Sequence, residues 1–292
     1  VIEDDLADKM EKHRFRIGAV KSGYPVLTDW HPALPDGWGT FPQAPFTSST
    51  IYRGNAETWA YSHHQAIKKF RDLYVATWSN GLLHEDHVGQ EPHFATSPNA
   101  VDWSEPEVLV HTPLDSGIVR NNAGLYSDGK KLYSYVCVAR DFGREESAPG
   151  MCTLFEEPIR LDVYVTEDLK TWTHHEKICP DVYLFEGPRM TKGGRLMCCG
   201  FHLTNRHGMV LIWDDPSDPA APPRVVEVPE SPDGAFPEQG TWYQTDDGRI
   251  FIYQRDQTMS GWLALTWSDD EGDTWSPLLR TDFPNTYSRA YA

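Results

Sequence analysis

The sequence predicts an all-β fold, a β-propeller of four-stranded antiparallel blades, and three observations carry that prediction. Turn formers and aromatic residues are abundant, with 22 Gly, 22 Pro and 12% Phe, Trp and Tyr in 292 residues. Such a composition suits many short strands and tight turns rather than long helices. A turn followed by an apolar strand recurs along the chain at intervals of 54–64 residues. A second motif, built on Ser or Thr, Asp or Asn, and Trp, falls later in the same modules. The interval matches one four-stranded blade with generous loops.

The first motif runs Phe70-Arg71-Asp72-Leu73-Tyr74, then Asp128-Gly129-Lys130-Lys131-Leu132-Tyr133, Lys192-Gly193-Gly194-Arg195-Leu196-Met197 and Asp247-Gly248-Arg249-Ile250-Phe251. Glycine in three of the copies supplies the positive φ of a hairpin turn. The second motif is complete in Ser268-Asp269-Asp270-Glu271-Gly272-Asp273-Thr274-Trp275, which resembles the Asp-box of sialidase-like propellers. Ser and Asp cap the turn, Gly allows the bend, and Trp packs between sheets. Copies without Gly are Ser97-Pro98-Asn99 leading to Trp103, and Thr166-Glu167-Asp168 leading to Thr171-Trp172.

A single propeller domain over 1–292 follows, with blades at about 45–111, 117–180, 182–230 and 236–282. The Pro- and Ala-rich stretch 216–223 reads as an exposed loop, and 285–292 as the start of a further blade. Four blades and a start do not close a ring. Either the chain is shorter than its native form, or residues 1–44, with a strand candidate at 14–20, complete a fifth blade.

The net charge of −17 excludes a general nucleic-acid or anionic-membrane binder, since both require a positive surface. No apolar run approaches the length of a membrane span. An anionic ligand needs a pocket where a few Arg or His residues converge. The five cysteines, Cys137, Cys152, Cys179, Cys198 and Cys199, have no zinc-like spacing and read as buried free thiols. The start of the sequence carries no charged, apolar leader pattern.

Propeller register places residues near 62–68, 119–125, 184–190, 238–244 and 286–291 on the strands lining the central channel. The polar residues there are His63, His64, Asn121, Asn122, Glu186, Arg189, Gln239 and Arg289. Water-bridged channel residues would account for them equally well. The densest cluster joins His63-His64 to the loop His84-Glu85-Asp86-His87, with Gly89-Gln90 behind it. Strand alternation predicts that His63 and His64 face opposite sides. Three readings of the loop stand: a metal site, a hydrogen-bonded turn capped by Glu85 and Asp86, and acid–base catalysis by histidine without a metal.

The run Trp59-Ala60-Tyr61-Ser62-His63-His64-Gln65-Ala66-Ile67, followed by Trp78-Ser79-Asn80-Gly81, His84-Glu85-Asp86 and Gly89-Gln90, resembles the propeller L-rhamnose-α-1,4-D-glucuronate lyases. Beside these stand related enzymes first described as rhamnohydrolases, and more distantly the propeller ulvan lyases. The resemblance is sharpest over 45–112. It implies a seven-bladed propeller that removes L-rhamnose from glucuronic acid in plant or algal polysaccharide, such as arabinogalactan, by β-elimination.

Carried over by position, the resemblance implies His64, His84 and Tyr135 as catalytic residues, with Tyr133 the alternative to Tyr135. Arg140 is then the residue neutralising the uronate, with Arg189 a second candidate, and the channel register adds His63, Asn122 and Gln239 as substrate-binding residues. Val136-Cys137-Val138-Ala139 departs from the aromatic stretch expected there. The expected protein is a secreted or periplasmic monomer acting on an acidic oligo- or polysaccharide. It would use no cofactor and no catalytic metal, with room for a structural calcium or other ion in the channel.

Rivals are α-L-rhamnosidase-type hydrolysis, a sialidase and a non-catalytic sugar-binding propeller. Phe15-Arg16-Ile17-Gly18 echoes the Arg-Ile-Pro of sialidases, but the sialidase arginine triad and Tyr–Glu pair find no placement. Hydrolysis by paired carboxylates has only Glu186 and Glu238 to draw on among inner-strand residues.

Overall fold

The computed structural model describes residues 47–55, 57–82, 85–86, 88–141, 155–285 and 288–289. These form four antiparallel sheets arranged as propeller blades, with one short 3-10 turn at Leu114–Ser116. Blade 1 holds β1 (Tyr61–Phe70), β2 (Leu73–Gly81), β3 (Glu91–Ser97) and β4 (Glu107–Val108). Blade 2 holds β5 (Ile118–Ser127), β6 (Leu132–Asp141), β7 (Phe155–Thr166) and β8 (Thr173–Pro180). Blade 3 opens with two short strands, β9 (Tyr183–Leu184) and β10 (Arg189–Met190), followed by β11 (Leu196–Phe201), β12 (Gly208–Trp213) and β13 (Arg224–Glu227). Blade 4 holds β14 (Pro237–Gln244), β15 (Ile250–Asp256), β16 (Trp262–Ser268) and β17 (Leu279–Pro284). The strand candidate at 14–20 lies outside the described residues, as does most of 285–292.

The blades are stacked through apolar layers, and the strand sequences follow from that. On β6, Val136 and Val138 face blade 1, beside Phe70, Val75 and Phe94. The alternate residues Tyr135, Cys137 and Ala139 face blade 3, beside Leu184, Leu196 and Trp213. Both faces are covered, so β6 reads as an unbroken apolar run rather than an alternating one. The stretch 136–139 is core for this reason. On β11, Leu196 and Cys198 enter the layer shared with blade 2, while Met197 and Cys199 meet Trp242, Ile250 and Ile252 of blade 4. Cys137, Cys179, Cys198 and Cys199 are all buried free thiols.

The hairpin glycines adopt the left-handed backbone their motif requires, with φ of 87° at Gly129, 90° at Gly194 and 97° at Gly248. The complete Asp-box closes on itself. The Asp270 carboxylate accepts from the Thr274 backbone N–H (2.8 Å) and hydroxyl (2.6 Å), and Ser268 Oγ accepts from the Gly272 N–H (2.9 Å). Trp275 packs against Met197 and Ile212 of blade 3. The copies in blades 1 and 2 are one residue shorter. Each turns on a single left-handed non-glycine, Ala100 at φ 59° and Leu169 at φ 62°.

One irregularity repeats on the inner strands. Two residues stand opposite one at His64-Gln65, at Ala123-Gly124 and at Gln239-Gly240. In blade 3 the inner strand parts altogether between β9 and β10. Each break is a β-bulge or its equivalent, and each lies beside buried polar residues: His64, Asn121 and Asn122, Glu186, Gln239.

Candidate functional site

The bulge in β1 overturns the expected alternation of the two histidines. His64 sits at φ 54°, which throws its side chain to the same side as that of His63. Both rings then meet one carboxylate. His63 Nδ1 lies 2.6 Å from Glu85 Oε1, and His64 Nε2 lies 3.2 Å from the same oxygen. The ring centroids are 4.3 Å apart. His64 is 3% exposed, packed edge-on against Tyr183 and Phe185, while His63 is 38% exposed. The pair thus offers one buried and one open imidazole.

The loop after β2 brings Glu85 and Asp86 here because it is fastened to blade 2. Gly89 N–H donates to the Ile118 carbonyl (3.0 Å) and Arg120 N–H to the Gln90 carbonyl (3.1 Å). Gln90 Oε1 accepts from the Asp86 N–H at 3.0 Å, and Gln90 Nε2 donates to Asn121 Oδ1. Asn121 is the junction. Its Nδ2 donates to Asp86 Oδ1 (2.8 Å) and to the Tyr183 hydroxyl, its Oδ1 faces His64 Nδ1 at 3.2 Å, and Tyr183 donates to Asp86 Oδ1 at 3.2 Å. First strands of three blades therefore supply one network.

The two adjacent carboxyls are driven apart in acidity. Burial pushes Glu85 upward, but hydrogen bonds and charge from His63 and His64 outweigh it and hold the group well below the usual carboxylate range. Asp86 is raised, by burial first and then by the Glu85 charge. Tyr61, whose hydroxyl is 3.5 Å from Glu85 Oε2, is pushed up to about 12 by burial and by both acids. An ionised acid, an acid shifted toward its neutral form and a phenol that keeps its proton thus share one end of the channel. Such separation marks acid–base assignments.

The other residues singled out from the sequence divide. Asn122 is committed to the scaffold. Its backbone N–H donates to Ser79 Oγ at 2.8 Å and its Nδ2 to the His64 carbonyl at 2.6 Å, so it braces the bulge, and Asn121 is the residue that reaches the cluster. Tyr135 is fully buried between blades 2 and 3, with its hydroxyl donated to the Pro219 carbonyl at 2.9 Å. Burial also drives its phenol well above the ordinary value. It reaches no substrate, because β6 is the second strand of its blade and both its faces are core. Tyr133, its alternative, is likewise buried, its hydroxyl 3.3 Å from Asp128 Oδ2.

Arg140 is exposed opposite Ile118 at the start of β5, on the same end of the propeller as Tyr61 and His63. Arg189 lies near the other end of its blade's inner edge. Its Nη2 is 3.3 Å from Glu186 Oε1, and its guanidinium stacks 4.5 Å from the Trp242 ring centroid. Gln239 occupies the matching bulge of blade 4. His84 lies outside the described residues. A groove of about 280 Å³ beside Arg206, Pro229 and Phe236 touches none of these groups.

Sequence reasoning missed Tyr183 and passed over Asn121 for its neighbour. Adjacent strand residues face opposite sides, and a lone sequence does not mark which of two asparagines meets the neighbouring blades.

The BNR repeat-like domain model matches residues 75–292. The chain belongs to the BNR repeat-like domain family. No curated protein matches it. Solved structures similar to this BNR repeat-like chain include a protein of unknown function from Dyadobacter fermentans DSM 18053, with a TM-score of 0.61 at 15% identity over 80% of this chain and 71% of that one. The Hadza microbial sialidase Hz136 has a TM-score of 0.57 at 12% identity over 82% of this chain and 49% of that one. The NanB sialidase of Streptococcus pneumoniae has 0.56 at 13% over 86% and 56%. The chain spans about half the length of these two sialidases. At such identities the likeness is one of fold.

Proposed function

We propose that this chain is a carbohydrate-active enzyme that cleaves an acidic saccharide by β-elimination, releasing L-rhamnose from glucuronic acid. The observation that carries the reading is the His63–Glu85 dyad. A carboxylate at 2.6 Å holds Nδ1–H of a half-exposed ring, which leaves Nε2 to accept a proton from a ligand. In the elimination His63 Nε2 takes the proton on C5 of the uronate. The electron pair forms the C4–C5 double bond as the C4–O bond breaks, and the leaving oxygen takes a proton. Tyr61, protonated at neutral pH, is placed beside His63 to supply it. Their rings meet edge-on at 5.8 Å. Arg140, exposed at the same end, is the candidate partner for the uronate carboxylate, whose neutralisation acidifies C5.

The resemblance of the Tyr61–Ile67 region to rhamnose–glucuronate lyases supports the substrate class, as does the presence of sialidases among the fold's solved neighbours. The test is to incubate the protein with a rhamnose-capped glucuronate polysaccharide and follow free rhamnose and the ultraviolet absorbance of the unsaturated uronate together. Both are expected to rise, and His63→Ala is expected to slow turnover by about 10²–10⁴-fold. Rhamnose without absorbance means hydrolysis and overturns the elimination. An unimpaired His63→Ala removes the dyad from the mechanism.

A further inference from the structure

The orientation of His64 raises a question that the dyad does not answer. Asn121 is fixed by its neighbours. Gln90 Nε2 can only donate, so it faces Oδ1 of Asn121, and the Asp86 carboxylate accepts from Nδ2. His64 Nδ1 therefore meets an amide oxygen, an acceptor, at 3.2 Å and must carry the ring proton. In a neutral ring Nε2 then presents a lone pair. It points at Glu85 Oε1, another acceptor, at 3.2 Å, and Nε2 is buried without a hydrogen bond of proper geometry. This contact between a buried ring nitrogen and a carboxylate oxygen is matched by a positive charge between them, which either a proton on Nε2 or a metal ion supplies.

His63 Nδ1 completes the set. The donor atoms of His63, His64 and Glu85 all lie within 4.8 Å of one another, the one such group among the described residues. Tetrahedral zinc, at about 2.0–2.1 Å from nitrogen and oxygen ligands, needs donors about 3.3 Å apart. The His64–Glu85 separation of 3.2 Å already meets this, and His63 must draw back from Glu85 by less than the width of an atom. We propose that His63, His64 and Glu85 form a binding site for a borderline divalent metal, zinc or cobalt, with Asn121 orienting the buried ligand from behind.

Two imidazoles and one carboxylate favour such ions over calcium or magnesium. His64 Nδ1–H to Asn121 is the outer-shell bond that fixes a ligating histidine's tautomer. The left-handed backbone at His64 serves the same end, since without it consecutive residues could not ligate one ion. The exposure of His63 leaves the fourth position toward solvent. Binding is read directly and does not require that the elimination be observed. Metal and dyad share Nδ1 of His63, so a loaded site and a free base exclude each other.

The chelator-stripped protein is titrated with zinc by calorimetry, and with cobalt while the visible d–d absorption is recorded. About one ion per chain is expected, with the strong visible bands of a four-coordinate site. Glu85→Gln, which preserves shape, and His64→Ala are each expected to weaken binding at least 100-fold, with near-ultraviolet circular dichroism confirming the fold. His202→Ala, which alters a part-buried histidine between Asp181 and Glu227 away from the site, is expected to bind as the parent does. Retained one-site binding in Glu85→Gln, binding lost in His202→Ala, or no binding by the parent would each overturn the site. The rhamnose assay is run on the chelator-stripped protein, in which His63 is unligated, so failure there leaves the binding result intact.

Discussion

Blades 2 and 3 meet backbone to backbone at two glycines, and that contact can be tested against a built-in control. A Cβ added at Gly124 would lie 2.0 Å from the Gly187 nitrogen and 2.7 Å from the Glu186 carbonyl carbon, both main-chain atoms that cannot swing aside. Gly124 is also left-handed, at φ 99°. Gly129 shares that backbone, at φ 87°, but an added Cβ there meets nothing within 4 Å. Gly129→Ala therefore bears only the cost of the left-handed conformation, about 1 kcal/mol. Gly124→Ala bears the same cost plus the parting of two inner strands by more than 1 Å, for which overpacking adds about 1–3 kcal/mol. The expected total is about 3 kcal/mol, and urea denaturation of the two variants beside the parent measures both. If Gly124→Ala lost no more than about 0.5 kcal/mol beyond Gly129→Ala, the close approach of the blades would be refuted.

Tyr135→Phe is expected to lose about 1 kcal/mol with its bond to the Pro219 carbonyl and to leave turnover unchanged. A loss of activity at full folding would return Tyr135 to the chemistry. Glu85 has a depressed pKa in the folded protein, so its stabilisation is complete above the ordinary carboxylate pKa of about 4.3 and is lost as pH falls through the lower, folded value. Glu85→Gln is thus expected to fall short of the parent at neutral pH and to converge with it in acid. Thermal unfolding from pH 7 downward measures this, and a gap that widens in acid would contradict the assignment.

What the sequence disclosed was whatever depends on local chemistry. The turns at Gly129, Gly194 and Gly248 announced themselves because left-handed backbone selects glycine, and the Asp-box at Ser268–Trp275 because its side chains cap their own turn. The shortened copies were harder to read, since Ala100 and Leu169 take the turning position without glycine. The cluster at His63, His64 and Glu85 was legible as a density of titratable residues. Its geometry was not, because strand alternation assigned the two histidines to opposite sides. Tyr135 failed for a different reason. A tyrosine on an apolar strand looks the same whether its hydroxyl meets a substrate or a carbonyl such as that of Pro219, and only the packing of blade 3 decides.

The inner-strand bulges suggest why the site formed in blade 1. In blade 2 the left-handed residue of the bulge is Gly124, where the conformation is free of steric cost. In blades 1 and 4 it falls instead on His64 and Gln239, at φ 54° and 51°, each carrying about 1–2 kcal/mol of strain that glycine would relieve. If the fold needed only the bend, glycine would serve in all three. A strained residue held in place at the channel points to a need for its side chain there. For His64 that need is visible in Glu85 and Asn121. Gln239 holds the matching position on blade 4, which makes it the inner-strand residue most worth substituting in a test of whether the proposed site extends across the channel.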